Sequence, residues 1–332
     1  MSWPRVYRFA AAAFLAAAVV VPSLAVGRAQ SQAPVLPLGP NRNAGEAVTG
    51  AFEGWFYKPD GSVALLVGYF NRNLKQVLDI PVGPNNRIEP GGPDYGQPTH
   101  FLPRRQWGVF TIPLPKDFGD RRLTWTIVAN GQTTTIPLSL HQNYQVEPFE
   151  EKGMGNTPPM LRFDPGGAVH TGPPDGIAAS LSATVGVPLT LDVWVTDKPA
   201  KFSANVTRPP AGGGGRGRGA RPELALTWVL HRGPADVTFG TAKPAIDKAA
   251  DGKTTTTATF TAPGDYILRG QANDVSGEGG GGFQCCWTNA HVKVTVSRQS
   301  ASSRCPTSAP WSPFPSRHRA TRQHRQSPGR EH

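Results

Sequence analysis

The sequence predicts an all-β protein built from two tandem antiparallel β-sandwich domains. The chain is rich in turn-forming residues, with 38 glycines and 34 prolines among 332 residues. Its apolar residues alternate along short segments, and no segment of useful length has a helical period. Strong hairpin signals, Pro59-Asp60-Gly61 and Asn130-Gly131, join such segments.

The N-terminal segment, residues 1–29, has the pattern of a secretory signal peptide. Arg5 and Arg8 precede an unbroken apolar run from Phe9 to Val21, and small residues at Ala25 and Ala29 offer cleavage sites. The run is shorter than the roughly 20 apolar residues of a membrane-spanning helix. We therefore expect export to the periplasm or the extracellular space, with no transmembrane segment in the mature chain.

The formal net charge of +11 is concentrated at the two ends and in one insert. Seven arginines lie in residues 298–332, a segment dense in Pro and Ser that we expect to be a disordered basic tail. Four more lie in the Gly-rich insert Arg208–Arg221. The remainder is close to neutral, so no nucleic-acid partner is expected, because such partners need basic residues on a folded face.

Residues 45–145 form the first predicted sandwich domain, with six strands. The hairpin around Pro59-Asp60-Gly61 is followed by a third strand, by a long loop from Gly83 to Gln106, and by three more strands. The expected strands are Ala51–Tyr57, Ser62–Phe70, Gln76–Val82, Trp107–Pro113, Leu123–Ala129 and Gln132–Leu138.

A Pro/Gly-rich linker, residues 146–176, is expected to lead into the second sandwich domain, residues 177–297. Seven short alternating segments with Greek-key spacing are typical of an Ig-like sandwich. These segments are Ser180–Val185, Leu189–Thr196, Leu224–Leu230, Val237–Phe239, Thr255–Thr261, Tyr266–Asn273 and Ala290–Val296.

The second domain carries motifs that resemble bacterial PKD and cadherin-like Ig domains. Ala258-Thr-Phe260 is followed by Ala262-Pro-Gly-Asp-Tyr-Ile-Leu268 and then by Ala272-Asn-Asp274. The resemblance implies that Tyr266 forms a tyrosine corner, with its hydroxyl bonded to nearby backbone. The first domain resembles uncharacterised exported proteins of environmental bacteria, which transfers no function.

The second domain departs from these families at Gly279–Gly282 and at the adjacent Cys285 and Cys286. In an oxidising compartment the two thiols form a vicinal disulfide, or one pairs with Cys305, or both bind a soft metal. A metal site needs further ligands and only His291 is near, so the disulfide is favoured and no metal is assigned. Trp287 is either presented to a ligand beside the ring or buried at a strand start.

A second candidate site is the polar loop of the first domain. It contains Asp94, His100, Arg104 and Arg105, together with Glu89. Such side chains on a structured loop bind ligands, a cation among them, or supply acid–base groups. The alternative, which we favour, is that they cap turns and bond the loop backbone.

A third signal is the density of aromatic residues on neighbouring strands. Trp55, Phe56 and Tyr57 are consecutive, and Trp107 lies on another strand, so strand alternation points some of these rings outward. Exposed aromatic rings on a sandwich bind sugar rings, although most of this set is expected in the core.

Two hypotheses for function follow. The first is an exported, non-catalytic binding or structural protein whose partner is a polysaccharide or an envelope protein. It is favoured because the sequence has no GxSxG, HExxH or P-loop motif, and no cofactor is implied. The second is a secreted hydrolase or metal-dependent enzyme that uses the 85–105 loop.

Overall fold

The computed structural model describes residues 42–153, 155–198, 224–274 and 285–299. The predicted signal peptide, the Arg208–Arg221 insert, Cys305 and nearly all of the predicted basic tail lie outside these ranges. The chain divides into two compact units, one ending at Val146 and the other beginning at Glu147. Both consist of strands, turns and short 3₁₀ turns, which confirms the predicted all-β class. Among the described residues, no helix has the length and apolarity needed to cross a membrane.

Between residues 42 and 146, the first unit contains eight strands in two three-stranded sheets and one small pair. The larger sheets have the orders β1-β2-β6 and β4-β7-β8, and β3 pairs with β5. The strands are β1 (Val48–Tyr57), β2 (Val63–Asn71), β3 (Leu78–Asp79), β4 (Asn86–Glu89), β5 (His100–Phe101), β6 (Arg104–Leu114), β7 (Arg122–Ala129) and β8 (Gln132–Ser139).

The Gly83–Gln106 segment differs from the single long loop that we predict. It contains β4, which pairs antiparallel with β7, and β5, which pairs with β3. The predicted third strand, Gln76–Val82, is reduced to Leu78–Asp79. Short strands among prolines and glycines show too little alternation to be recognised, but Ile88 of β4 is fully buried opposite Trp125.

The core of the first unit lies between the inner faces of its sheets. Large side chains from β2, β6 and β7 fill it, and the rings of Phe110 and Trp125 meet edge to face with centroids 5.3 Å apart. Burying such side chains contributes roughly 1.5–3 kcal/mol each, which stabilises the sandwich that carries the aromatic residues of β1.

The described part of the second unit contains nine strands in two sheets. One sheet has the order β10-β9-β12-β15-β14 and the other β11-β17-β16-β13. The strands are β9 (Met160–Arg162), β10 (His170–Thr171), β11 (Ile177–Thr184), β12 (Leu189–Thr196), β13 (Ala225–Arg232), β14 (Val237–Phe239), β15 (Lys253–Phe260), β16 (Gly264–Asn273) and β17 (Trp287–Ser297).

This distribution of strands between two sheets is that of an Ig-like sandwich. The predicted tyrosine corner is present, because the Tyr266 hydroxyl donates a hydrogen bond to the Ala262 carbonyl oxygen at 2.8 Å. The Tyr266 ring lies 4.8 Å from that of Phe260 in the core. Burial raises the pKa of Tyr266 above its usual value.

Two features of the second unit correct the sequence prediction. Part of the predicted linker forms β9 and β10, and β9 pairs with β12 inside a sheet. β11 runs parallel to β17, whereas we predict an antiparallel sandwich throughout. Strands of two or three residues carry no readable alternation, and pairing direction depends on distant partners, so neither feature is visible in local sequence.

Candidate functional site

A β-bulge in β1 directs three aromatic residues to the same side of their sheet. The register against β2 shifts between Phe52 and Gly54, and beyond the shift Trp55 lies opposite Leu65 and Tyr57 opposite Val63. Without the extra residue, Trp55 would point to the opposite face from Phe52, because side chains alternate along a strand. The bulge therefore aligns Phe52, Trp55 and Tyr57.

The segment 141–146 docks against this bulge. The Trp55 indole Nε1 donates to the His141 carbonyl oxygen at 2.8 Å, and the Val146 amide donates to the Trp55 carbonyl oxygen at 2.9 Å. Gly54 has a φ of +127° and lies against Tyr144 and Val146, where a Cβ would approach closer than 3.0 Å. Only glycine allows both this backbone conformation and this close approach.

Docking brings a second set of rings to the first. The Phe52 and Tyr144 centroids lie 5.5 Å apart, and those of Trp55 and Tyr57 are also 5.5 Å apart. The His141 ring is 5.6 Å from the Tyr144 ring. We call Phe52, Trp55, Tyr57, His141 and Tyr144 the aromatic rim.

The exposure of the aromatic rim is uneven. Tyr57 is 56% exposed and Tyr144 52%, more than any other described phenylalanine, tyrosine or tryptophan, whereas Trp55 is buried at 8%. Trp55 thus supports the rim from the core side, where most of the aromatic set is expected, and only the two tyrosines are widely exposed. Tyr144 and His141 are absent from the predicted site because their contact with β1 is long-range.

Arg105 and Trp107, also predicted as ligand-binding, belong to a different cluster. The Arg105 guanidinium lies 3.9 Å from the Trp107 ring centroid, and its Nη2 donates to Glu53 Oε1 at 2.8 Å. Glu53 is largely buried, and its Oε2 also accepts from the Gly108 amide at 2.8 Å. These contacts make Arg105 the counter-ion of a buried carboxylate, a structural role.

Arg104, the neighbouring candidate, is exposed and has a φ of +71°. Its guanidinium carbon lies 5.7 Å from the ring centroid of Phe70. The contact is a cation–π interaction on the surface of the first unit, where such pairs contribute roughly 0.5–1 kcal/mol.

The acidic and imidazole side chains of the 85–105 segment each contact a different partner. Asp94 Oδ1 accepts from the Gly96 amide at 2.9 Å. Glu89 pairs with Arg87 at 2.8 Å, and His100 Nδ1 lies 2.8 Å from Asp79 Oδ1. Asp94 therefore holds a turn, while the other two pair with partners of their own.

The amide and phenol groups of this segment bond its backbone. The Tyr95 hydroxyl donates to the Pro90 carbonyl oxygen at 2.6 Å, and Gln97 Nε2 donates to that of Pro93 at 2.6 Å. The fully buried Asn86 donates to two carbonyl oxygens and accepts from Trp125 Nε1 at 3.0 Å. This pattern matches the structural alternative weighed for the loop.

In the second unit, the Sγ atoms of Cys285 and Cys286 lie 2.00 Å apart, which is the distance of a disulfide bond. Both are buried, and Cys285 Sγ lies 3.8 Å from the Asn156 carbonyl oxygen. Trp287 follows as the first residue of β17 and is 2% exposed, so its ring is buried and is not presented to solvent beside the disulfide.

Asp197 and Asp274 form an acidic pair that the sequence does not reveal, and Asn156 connects Asp274 to the region of Cys285. Asn156 Nδ2 donates to Asp274 Oδ2, and Asp274 is buried. Partial desolvation raises the pKa of Asp197 to about 6, although the residue remains accessible to solvent, and the negative charge of Asp274 adds to the rise. Asp197 follows β12 and Asp274 follows β16, so their proximity depends on the stacking of the two sheets.

Comparisons with known proteins do not extend these observations. No protein-family model matches the chain, and no curated protein matches it. Solved structures that resemble it include domains 4 and 5 of the S-layer protein SbsC, at 11% identity over 76% of this chain and 98% of that one, with a TM-score of 0.19. The D00-D0 domain of intimin matches at 10% identity over 76% of this chain and 100% of that one, with a TM-score of 0.23. Tandem Ig repeats of Dlar match at 9% identity over 75% of this chain and 92% of that one, with a TM-score of 0.24. At these TM-scores the likeness carries no argument about function, and the fold assignment rests on the strands and their pairing.

Proposed function

We propose that the protein is an exported, non-catalytic binding protein that holds a neutral polysaccharide on the aromatic rim. The observation that carries the proposal is the exposure of Tyr57 and Tyr144 beside rings that hold them in place. A cluster of exposed large apolar side chains marks a contact site, whereas single scattered ones are common on any protein surface. Export rests on the pattern of residues 1–29.

The chemistry around the rim favours sugar over other ligands. The apolar C–H faces of pyranose rings pack against aromatic faces, and tyrosine adds a hydroxyl that exchanges hydrogen bonds with sugar hydroxyls. Between His141 and Tyr144 lie the exposed amide side chains of Gln142 and Asn143, which both donate and accept hydrogen bonds. Residues 141–145 carry no formal charge, which suits a neutral glycan better than a uronic acid polymer.

A glycan array and a cell-wall pull-down test the proposal directly. We expect the full chain to bind neutral glycans, and a Tyr57→Ala, Tyr144→Ala double variant to bind about tenfold more weakly or worse, since tenfold corresponds to about 1.4 kcal/mol. Val77→Ala is the control, because Val77 is a 41% exposed apolar residue of the same unit outside the rim.

Two outcomes would count against a glycan-binding rim. Blank results in both assays would remove the glycan, and unchanged binding by the double variant would remove the rim as its site. Retention of an envelope protein in the pull-down, lost on substitution of the tyrosines, would keep the rim as a binding surface and replace the sugar with a protein partner.

The disulfide is proposed on separate grounds. An exported chain with adjacent cysteines meets oxidising conditions, and the two residues lie together immediately before β17. Intact mass spectrometry of the unreduced protein is expected to show Cys285 and Cys286 linked to each other in one peptide. Two alkylatable thiols, or a peptide joined to Cys305, would contradict this pairing.

A further inference from the structure

The strand β11 ends a sheet of the second unit and leaves one of its edges open. It pairs with β17, and no other described strand pairs with it. We propose that this edge joins the same edge of a second copy of the chain, antiparallel about a twofold axis, so that the sheet continues across a homodimer. The inference does not depend on the aromatic rim or on the glycan.

An open edge of this kind is normally protected. Edge strands carry charges or proline, are very short, or are covered by a loop, because their unpaired amides and carbonyls otherwise pair with another chain. β11 reads Ile-Ala-Ala-Ser-Leu-Ser-Ala-Thr from Ile177 to Thr184, with neither charge nor proline over eight residues. Its one irregularity, a register shift between Ile177 and Ala179, leaves the rest regular.

The other edge strands of the described residues are protected in these ways. β13 donates the Trp228 amide to the Ala242 carbonyl oxygen of a following loop, and β1 is bridged at Trp55 by the docked 141–146 segment. β6 carries arginines and Pro113, and β8 contains Pro137. β3, β4, β5, β10 and β14 have four residues or fewer.

A second copy fits this edge better than a charged peptide does. In an antiparallel pair centred on Leu181, Ser180 lies opposite Ser182 of the other copy, and no like charges meet. Such a contact is isologous and closes as a dimer. The exposed apolar residues lie just at the two ends, Ile177 at 45% and Val187 at 46%. Antiparallel pairing brings the Ile177 end of each copy to the Val187 end of the other.

Charge reversal across the edge tests the pairing. Ser180 and Ser182 are both exposed, so lysines there enter no core. We expect sedimentation velocity of the full wild-type chain to show a concentration-dependent dimer, and S180K with S182K to weaken dimerisation roughly tenfold or more, since like charges face each other twice. The S180E with S182E variant should also be weakened, and an equimolar mixture of the two variants should restore the dimer.

Dimerisation in the mixture distinguishes charge repulsion from misfolding as the cause of the weaker dimer, because a partner of opposite charge would not rescue an unfolded variant. A control with T190K and T238K places two lysines on exposed threonines of the other sheet and should dimerise like wild type. A monomeric wild type at every concentration overturns the proposal. So does a dimer that tolerates the lysines, or a variant mixture that remains monomeric.

Discussion

Replacing Gly54 with alanine is expected to separate the 141–146 segment from β1 and disrupt the aromatic rim. Two effects add at this position. The φ of +127° belongs to a region that alanine rarely adopts, at a cost of about 1–3 kcal/mol. The new Cβ would also lie closer than 3.0 Å to Tyr144 and Val146, so the segment must move.

Movement of the segment breaks two hydrogen bonds. These are the Trp55 Nε1 bond to His141 and the Val146 amide bond to Trp55, each worth about 1 kcal/mol. With the backbone strain, the free energy of unfolding of the first unit should fall by about 3–5 kcal/mol. The loss is large beside the usual 5–15 kcal/mol stability of a domain.

Gly61→Ala is the matched control. Gly61 has a φ of +80°, in the turn after β1, and a Cβ there meets no atom within 4 Å. Alanine at Gly61 therefore adds the backbone strain without the collision, at about 1–2 kcal/mol. The difference between the two variants isolates the docking of the 141–146 segment, at roughly 2 kcal/mol.

Urea unfolding of both variants, together with hydrogen exchange of the peptide that contains residues 141–146, measures these changes. The exchange should accelerate in Gly54→Ala and stay near wild type in Gly61→Ala, because exchange reports local opening. If Gly54→Ala proves no more destabilising than Gly61→Ala, or the peptide keeps its protection, the segment is not held in the way described.

Three further predictions concern single polar groups. At about pH 7, Asp197→Asn should stabilise the second unit by about 1 kcal/mol, less than the roughly 3 kcal/mol that a pKa raised from 3.8 to about 6 implies, because Asp197 is exposed and solvent screens its charge. In the wild type, the destabilisation by Asp197 grows as pH rises from 3.8 to about 6, because the unfolded state binds fewer protons than the folded state in this range. Urea unfolding at about pH 3 should therefore show no stability gain for Asp197→Asn. Tyr266→Phe removes the bond to Ala262 and should lower stability by about 1 kcal/mol in thermal unfolding; an unchanged midpoint would mean that the tyrosine corner contributes nothing. Asn86→Ala removes the side-chain partner of two carbonyl oxygens and of the Trp125 indole, so the free energy of unfolding in urea should fall by about 3 kcal/mol or more. A decrease below about 1 kcal/mol would contradict these contacts.

The long alternating strands could be read from the sequence. Pro263-Gly264 connects β15 to β16, which lie in different sheets, and the alternation of both strands and the position of Tyr266 predict the two strands and the tyrosine corner that the structure contains. Short strands escaped prediction. β4 offers four residues between prolines and glycines, and it is a strand because Ile88 is buried against β7.

The candidate site was predictable only in part. Trp55 and Tyr57 are visible as an aromatic run, but which of them is exposed depends on the one-residue shift at Gly54. Tyr144 lies 92 residues after its ring partner Phe52 in the sequence. No local pattern links the polar segment 141–145 to β1. Asp94 and His100 each bond a different neighbour, in keeping with the structural alternative that the sequence favours for this loop.

The sequence by itself determined the all-β class, the long strands, the tyrosine corner and the pattern typical of export, because alternation, turn residues and leader composition are local properties. Tertiary structure alone decided which rings form the aromatic rim, that Arg105 neutralises Glu53, and that β11 runs parallel to β17 with an open edge. These features depend on register and sheet order. A shift of one residue exchanges the two faces of a strand, and contacts between distant segments set that shift.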